Sequence, residues 1–385
     1  MPPITLLSHG FQAEYEIGFA NGLAHNGADV LLLGSDKTLR SRLVKSVQLL
    51  NLRGSQDSGR PRFIKLFNLL RYIGSYLVFL VRTRGRVVHV NGLFSTRSSL
   101  VSLLEAWLTR ICAGAYFLTV HDVLPHDADT FFNRRIYRML YGAPGTLVVH
   151  TQRVADRLTN EFGVDRRRIV VIEHGIDRFF VPEPALRASF RTVRFIPETA
   201  RVALLFGQIM RYKGVDLLLD AFRQMGSDDP LHLVIVGKCF DAELLQELHQ
   251  TIAAHPCRAR IHWDNRFIPE AEIPAVMAGA DFVVLPYRRI DQSGVLFMAL
   301  STGLPLVVSD VGALAAYVPP EVGETVIPEN ADALAAAMLR LTTRLATLSR
   351  DEIIAYAQRF AWKNTVQPLL ERYGAGAAPA WHQAH

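Results

Sequence analysis

The stretch DQSGVLFMALSTGLPLVVSD, residues 291–310, places a polar turn before an apolar helix and a Gly-Leu-Pro turn before an aliphatic run. A helix that leads directly into a fully apolar strand is typical of a parallel sheet covered on both faces. Ser293 and Gly294 open the helix. Gly294 has no Cβ, so a ligand can approach the backbone there, and the free N–H groups of a helix start favour an anion.

The same alternation of aliphatic runs and helical patterns extends through both halves of the chain. The predicted strands are ITLLSH, ADVLLLG, VVHVNG, YFLTVHD, TLVVHT and RIVVIEHG in the first half, and RVALLFG, LHLVIVG, RIHWD, DFVVLP and LPLVVSD in the second. Residues 179–200 carry three prolines and no steady period, which is typical of a linker. We therefore predict an α/β fold of two Rossmann-like, doubly wound domains, residues 1–178 and 201–358, facing across a cleft.

Composition limits the class of protein. The chain has 385 residues, of which 50% are hydrophobic and 20% charged, enough for two ordered domains. The net charge of +6 suits an acidic substrate, a membrane face or nucleic acid without choosing among them. The three cysteines form no CxxC motif, which argues against a zinc site or disulfide framework and fits a reducing cytosol. The first residues lack the pattern of a signal peptide.

Polar residues cluster where predicted strands end. These residues, each at the end of an aliphatic run, are His9-Gly10, His89-Asn91, His121-Asp122, His150-Thr151, Glu173-His174-Gly175, Gly207 and the residues from Pro286 onward. Ligands of doubly wound folds bind at the carboxyl ends of the strands, so this clustering predicts an active site.

The second half resembles a known family. The runs LLFGQIMRYKGVDLLLDAF (204–222), LHLVIVGK, ADFVVLPY and SGVLFMALSTGLPLVVSDVGA resemble, in order and spacing, the donor half of the retaining glycosyltransferases of family 4, which have the two-domain GT-B fold. The match covers roughly residues 200–365, and the first half matches more loosely, through its first loop and LTVHDV. Phe360-Ala361-Trp362 resembles the aromatic-x-Trp before the last helix, which implies a helix at 359–373 crossing back to the first domain and a flexible tail at 374–385.

The resemblance implies transfer of a hexose from a nucleotide-diphosphate sugar to a glycan or lipid-linked saccharide, with retention, in polysaccharide or cell-envelope synthesis. No acidic metal-binding motif is present, so we expect no metal and no cofactor beyond the nucleotide sugar. Stabilisation of the leaving diphosphate would fall to Lys, Arg and helix N-termini.

The resemblance also implies roles for particular residues. It makes Lys213 the diphosphate lysine, with Arg211 as a substitute for the family's arginine, and places His121 against the donor sugar near the anomeric centre. A surface lysine, a helix-capping Ser293 and a histidine bonded to loop backbone are the alternatives. The remaining implied sets are Gly10, Gly207, Ser293, Gly294 and Val295 for the diphosphate; Arg266, Phe267, Ile268 and Phe297 for the base and ribose; and His9, Asp122, His174, Asp291 and Gln292 for the sugar or acceptor.

Two positions depart from the family pattern. Arg289 and Phe297 stand where many relatives carry two glutamates, and Phe297 cannot accept hydrogen bonds from a ribose. The ribose is then held from elsewhere, the donor is unusual, or catalysis is lost. We expect the first, and a nucleotide-sugar epimerase or a non-catalytic nucleotide-sugar-binding protein stays the alternative.

A basic and apolar segment predicts a membrane contact. Residues 53–86 carry eight basic residues against Asp57, a local balance of +7, interleaved with bulky apolar side chains. Lys65 and Arg71 interrupt the apolar window at 64–81, so we expect it to fall short of a spanning helix of about 20 residues. The pattern favours a cytoplasmic protein, peripheral on the inner face of an anionic membrane, with an ordinary covering helix as the alternative. No nucleic-acid-binding module is recognisable.

Overall fold

The computed structural model describes residues 2–8, 13–55, 57, 59–92, 99–124, 129–180, 183–226 and 230–376. These divide into two compact units, one formed by Met1–Asp177 with Phe360–His385 and the other by Arg178–Arg359. Each unit contains one all-parallel sheet with helices in the crossovers, which confirms the predicted class of two doubly wound α/β domains.

The first unit has a seven-stranded sheet in the order β3-β2-β1-β4-β5-β6-β7. Its strands are β1 (Ile4–Leu7), β2 (Val30–Gly34), β3 (Val47–Asn51), β4 (Val87–Val90), β5 (Ala115–Thr119), β6 (Thr146–Val149) and β7 (Ile169–Val171). Its helices in the order of the chain are α1 (Ala13–His25), α2 (Arg62–Arg82), α3 (Ser99–Cys112), α4 (Phe131–Gly142) and α5 (Gln152–Phe162).

The second unit has a six-stranded sheet in the order β10-β9-β8-β11-β12-β13. Its strands are β8 (Arg201–Phe206), β9 (Leu231–Val236), β10 (Ile261–Asp264), β11 (Phe282–Leu285), β12 (Leu306–Ser309) and β13 (Gly323–Val326). Its helices are α6 (Pro184–Thr192), α7 (Val215–Phe222), α8 (Ala242–Ala253), α9 (Ile273–Gly279), α10 (Gly294–Ser301), α11 (Ala331–Arg344) and α12 (Arg350–Ala357). Two helices, α13 (Trp362–Thr365) and α14 (Gln367–Gly376), then rejoin the first unit.

The predicted linker at 179–200 is not a free linker. It contains α6, which packs against α9, and Arg191 is fully buried there while its guanidinium pairs with Asp281 at 2.7 Å. Gly279 lies under the Phe190 ring, so a Cβ at Gly279 would meet that ring at 2.0 Å. These contacts make residues 179–200 part of the second unit, although three prolines suggested otherwise. Within the predicted tail, α14 extends to Gly376, and residues 377–385 lie outside the described part of the chain.

Helix α2 differs from the expectation for its apolar window. Phe63–Arg82 has a mean hydropathy of 1.5 and is long and apolar enough, by length and composition, to cross a membrane. Only 17% of its most apolar window is buried. The interruption by Lys65 and Arg71 therefore does not bring the segment below the length and hydropathy of a span.

Trp362 joins the end of the chain to the first unit. Its ring is 3% exposed and packs edge-on against Tyr15 at 4.8 Å between ring centroids. Ile176 N–H donates to Phe360 O at 2.6 Å, and Trp362 N–H donates to Ile176 O at 3.2 Å, so the two segments that border the second unit pair with each other. The indole fits only because Gly175 has no side chain, since a Cβ there would lie 2.0 Å from Trp362 Cδ2.

We expect Gly175→Ala to destabilise the protein by about 1–3 kcal/mol, because the added methyl overpacks the site of Trp362. Gly142→Ala is the matched control: a Cβ there meets nothing within 4 Å, so its effect should stay within about 0.5 kcal/mol. Urea unfolding of both variants measures the difference. Equal stabilities would contradict the packing of Trp362 on Gly175.

Candidate active site

The turn after β8 places Lys213. Gly207, with φ of 102°, ends the strand, and residues 211–213 form a short 3₁₀ turn before α7. Arg288 N–H donates to Tyr212 O at 2.7 Å, and Gly214, with φ of 67°, lies so close to Pro286 that a Cβ would meet Pro286 O at 2.2 Å. These contacts tie the backbone of the turn, next to Lys213, to the carboxyl end of β11.

The Lys213 ammonium is buried without a carboxylate partner among the described residues. The residue is 7% exposed, and its Nζ lies 5.6 Å from the centre of the Tyr287 ring. An idealised Cβ on Gly207 would lie 2.8 Å from Nζ and 3.5 Å from Val295 Cγ2. Burial lowers the pKa of Lys213 to about 8. A buried cation without a counter-charge is costly, so the site favours an anionic ligand.

The N-terminus of α10 adds hydrogen-bond donors to the same place. Ser293 occupies the N-cap position but makes no capping hydrogen bond, and its hydroxyl lies beside Tyr287. The Ser293 hydroxyl therefore caps no N–H group of the first helical turn, whereas Ser293 O accepts from Leu296 N–H at 3.1 Å. Gly294 is exposed, and a Cβ there would meet nothing within 4 Å. The geometry brings Gly207, Lys213 and Val295 together and leaves the helix start at Gly294 open to an anion.

The lowered pKa of Lys213 has a consequence for stability. Its value in the folded chain, about 8, lies below the ordinary 10.5, so between these pH values the unfolded chain binds more protons. Stability should therefore rise as pH increases from about 8 to about 10.5. We expect Lys213→Met to remove this rise and to stabilise the ligand-free protein at pH 7 by up to about 3 kcal/mol. Urea unfolding of both proteins across this pH range measures it, and parallel pH profiles would contradict the buried charge.

Arg211 does not join Lys213. Its guanidinium lies 2.8 Å from Glu247 and 3.4 Å from Glu243, both on α8, and 3.6 Å from Asp241. Burial alone lowers the pKa of Lys213, with no contribution from Arg211. Three carboxylates thus draw the guanidinium to α8, so the structure does not bring Arg211 to the predicted diphosphate position. Its predicted catalytic role stays a prediction.

The predicted base region lies after β10. Arg266 forms ion pairs with Asp264 and Glu272, while Ile268 is buried. Phe267 is 77% exposed, so it is not a core residue, and its ring is open for stacking against an aromatic base. Asn265 Oδ1 accepts from Cys239 N–H at 2.8 Å, which ties this turn to the end of β9.

Phe297 and its neighbours form a packed wall. Phe297 is 4% exposed and contacts Tyr317 edge-on, with 5.0 Å between ring centroids. Gln292 Nε2 donates to the Tyr317 hydroxyl at 3.4 Å, and Asp291 O accepts from Ala313 N–H at 3.2 Å. The position that the family pattern assigns to an acid is therefore a core contact here. Arg289 is exposed and lines a pocket of about 440 Å³ with Arg211 and Arg288 among its walls.

In the first unit, His121 follows β5 and is partly exposed. Its Nε2 lies 2.7 Å from Asn91 O, so Nε2–H donates and Nδ1 is left as an acceptor. Burial lowers the pKa of His121, which keeps the ring neutral at pH 7. The backbone bond was the alternative to a functional role, yet a neutral ring with an open acceptor can still receive a sugar hydroxyl. Asp122 is exposed beside it.

The other predicted residues of the first unit have different outcomes. His174 Nδ1 donates to Gly175 O at 2.9 Å, and burial lowers the pKa of His174 to about 4. Its ring lies 5.5 Å from the ring of His150, another of the histidines at the strand ends. His9 and Gly10 lie outside the described residues.

Sequence analysis did not predict the burial of two polar residues of this unit, Glu16 and Asn91. Glu16 is fully buried and accepts from Thr38 Oγ1 at 2.7 Å and from Ser8 Oγ. Asn91 is 4% exposed, and neither atom of its side-chain amide has a hydrogen-bond partner in the described chain. Its position directly after β4 was the available signal for Asn91, whereas nothing in the sequence marked Glu16 as buried.

Two family models match the chain. The model described as Glycosyltransferase Family 4 matches residues 15–178, and the one described as Glycosyl transferases group 1 matches residues 200–344. The D-inositol 3-phosphate glycosyltransferase of Geodermatophilus obscurus is 29% identical over 248 residues, which are 60% of this chain and 52% of that protein. The chain thus spans about half the length of the curated relatives it matches.

Solved structures share the fold across nearly the whole chain. A glycosyltransferase from Rickettsia africae has a TM-score of 0.73 at 16% identity, covering 98% of this chain and 99% of its own. The Anabaena protein HepE, solved with UDP and glucose, has a TM-score of 0.73 at 18% identity, covering 97% of this chain and 100% of its own. With both domains matched in sequence and in fold, the chain belongs to the GT-B glycosyltransferases and resembles family 4.

Proposed function

We propose that this protein transfers a hexose from a nucleotide-diphosphate sugar to a glycan or lipid-linked saccharide, without a metal and with retention of configuration. One observation carries the proposal: the Lys213 ammonium is buried beside Gly207 and Val295 with no carboxylate partner in the described chain. Such a site is stabilised by a polyanion, and the diphosphate is the polyanionic part of a nucleotide sugar.

The chemistry follows from the charges. Transfer breaks the bond between the anomeric carbon and the oxygen of the terminal phosphate, and the electron pair goes to that oxygen. The hydroxyl oxygen of the acceptor forms the new bond to the anomeric carbon, and its proton goes to the leaving phosphate. The leaving diphosphate gains negative charge as the bond breaks. Lys213 and the N–H groups at the start of α10 stabilise that charge, and they need no reorganisation because the turn after β8 and the helix hold them in place.

The relatives support a nucleotide sugar as donor. HepE was solved with UDP and glucose, and the inositol-phosphate and mannosylfructose-phosphate enzymes carry glycosyltransferase and synthase names. The exposed Phe267 offers a surface for the base, but nothing in it selects one base. We propose a cytoplasmic location on the inner face of the membrane and a role in polysaccharide or cell-envelope glycan synthesis, because α2 is largely exposed and apolar.

We expect Lys213→Ala to reduce the affinity for UDP, GDP or ADP, whichever binds, by at least about 100-fold, because a desolvated charge pair is lost. Gly294→Ala should reduce it by about tenfold, since a methyl group obstructs approach to the helix N-terminus without touching the rest of the protein. Isothermal titration calorimetry measures both. Arg223→Ala is the control, because it removes an exposed arginine of the same unit that pairs with the neighbouring Asp220.

Two results would contradict the proposal. If the wild-type protein binds none of the three nucleotides, the proposed donor site is wrong. Tight binding without turnover of nucleotide sugars across a panel of acceptors would favour the non-catalytic alternative, for which the buried Phe297 is the motivating observation.

A further inference from the structure

Helix α2 is apolar on its outer side. Its inner side is formed by Tyr72, Tyr76 and Leu80, which belong to the core of the first unit. Opposite them, seven large apolar side chains are between 39% and 73% exposed: Phe63, Leu66, Phe67, Leu70, Leu77, Val78 and Val81. A surface helix of a soluble domain normally turns mainly polar residues outward, whereas large apolar side chains predominate on the outer side of this helix.

Helix α3 has the reverse of the usual amphipathic pattern. Ser102, Glu105 and Thr109 are buried, whereas an apolar stripe at helical spacing faces outward. That stripe consists of Leu100 (66% exposed), Leu104 (47%), Trp107 (45%) and Ile111 (66%). The buried polar groups are satisfied by α2, because Tyr72 OH donates to Glu105 at 2.6 Å and Tyr76 OH lies 2.7 Å from Thr109 Oγ1. The polar side of α3 thus faces protein, and its apolar side faces outward.

The two stripes share one side of the sheet. Helix α2 leads into β4 and α3 leads into β5, which is the next strand in the same direction across a parallel sheet. Right-handed crossovers of this kind place both helices on the same face, and they pack against each other there. Together, the stripes form a larger apolar surface than the scattered single apolar residues that are normal on a protein surface.

The charges beside the stripes are cationic. Lys65 and Arg71 on α2, Arg82 and Arg84 at its end, and Arg110 on α3 are exposed. Glu105 is the sole acidic residue in the sequences of α2 and α3, and it is buried. Arg53 faces inward, over the Tyr72 ring, so it does not contribute to this surface. An apolar surface bordered by Lys and Arg matches the headgroup and acyl boundary of an anionic bilayer.

The packing of α2 opposes a transmembrane orientation. To cross a bilayer, the helix would have to leave α3, which would break the Tyr72–Glu105 and Tyr76–Thr109 hydrogen bonds and remove Leu80 from the core. It would also carry Lys65 and Arg71 into hydrocarbon. Lying in the membrane plane keeps these bonds and buries the outer stripe alone.

We propose that the outer stripes of α2 and α3 form a monotopic lipid-binding surface that inserts in the plane of an anionic bilayer. This proposal adds to the proposed function the place at which the protein contacts the membrane. It rests on the proposed function only in expecting a lipid-linked acceptor. The binding of lipid itself requires no turnover.

Flotation of the full chain with phosphatidylcholine vesicles, with and without phosphatidylglycerol, tests the surface. We expect binding to the anionic vesicles that weakens at high salt. Leu104→Glu and Trp107→Glu should each lower vesicle partitioning by about tenfold or more, because each removes an apolar contact and adds a charge that hydrocarbon disfavours. Leu339→Glu is the matched control: Leu339 is 38% exposed on α11 of the second unit, so its partitioning should stay unchanged.

A spectroscopic readout separates insertion from mere surface attraction. The chain has four tryptophans, so the emission spectrum of Trp107→Phe is subtracted from that of wild type. Vesicles should shift the Trp107 component to shorter wavelength, as expected for an indole that enters the interface.

Three results would overturn the proposal: no binding to anionic vesicles, equal partitioning of Leu104→Glu and wild type, or a wild-type dimer that Leu104→Glu dissociates while vesicles do not bind. The last would assign the surface to a second copy of this chain. Nucleotide affinity is measured on the same variants. Variants that lose vesicle partitioning but keep the nucleotide affinity of wild type would support the lipid-binding surface. If wild type binds vesicles but no nucleotide, the proposed function is contradicted and the proposed lipid-binding surface is not.

Discussion

The buried ammonium of Lys213 is the constraint on which the second unit's site depends. Desolvation lowers its pKa to about 8, yet at neutral pH most molecules still carry the charge. The contacts of Gly214 with Pro286 and of Tyr212 with Arg288 hold the backbone of the turn after β8 at the carboxyl end of β11, where Lys213 is 7% exposed. The ligand-free fold therefore keeps an uncompensated charge next to a helix N-terminus. Binding of a diphosphate removes the penalty, so affinity and site geometry have one physical origin.

The sequence predicted the parts of the fold that depend on local pattern. Continuous aliphatic runs located the central strands, since a strand covered on both faces has no other pattern. The edge strand β3 was not identified, because VQLLN reads as part of a loop, and neither was the edge strand β13. Helix α6 was mistaken for linker because its stabilising contacts, such as Arg191 with Asp281, join residues 90 apart in the chain. Long-range contacts of this kind leave no local signature.

In the candidate site, too, some features could be predicted from the sequence and others could not. The sequence located Gly207 at a strand end and Gly294 at a helix start, and the family resemblance implied a role for Lys213. The structure brings Gly207 and Lys213 together, and their binding of a diphosphate stays a prediction. The orientation of Arg211 could not, since the carboxylates that attract it lie more than 30 residues away on α8. Likewise, the sequence showed that residues 53–86 are basic and apolar, but only the structure shows which side of α2 faces outward and that α3 continues the apolar surface.

Because Phe297 is a packed aromatic residue, it cannot bind a ribose as an acid at this position would. The proposed contacts to the ribose and to the diphosphate are therefore made by different parts of the site. Phe297 lies one turn into α10 and contacts Tyr317, so it stabilises the wall of the site and accepts no hydrogen bond. The N–H groups of Gly294 and Val295, in the first turn of the same helix, receive no cap from the Ser293 hydroxyl, and this does not depend on residue 297. In the proposed function, recognition of the diphosphate would then not depend on how the ribose is held. Affinity for a nucleotide should then come mainly from the phosphates, and selectivity among bases from contacts around the exposed Phe267.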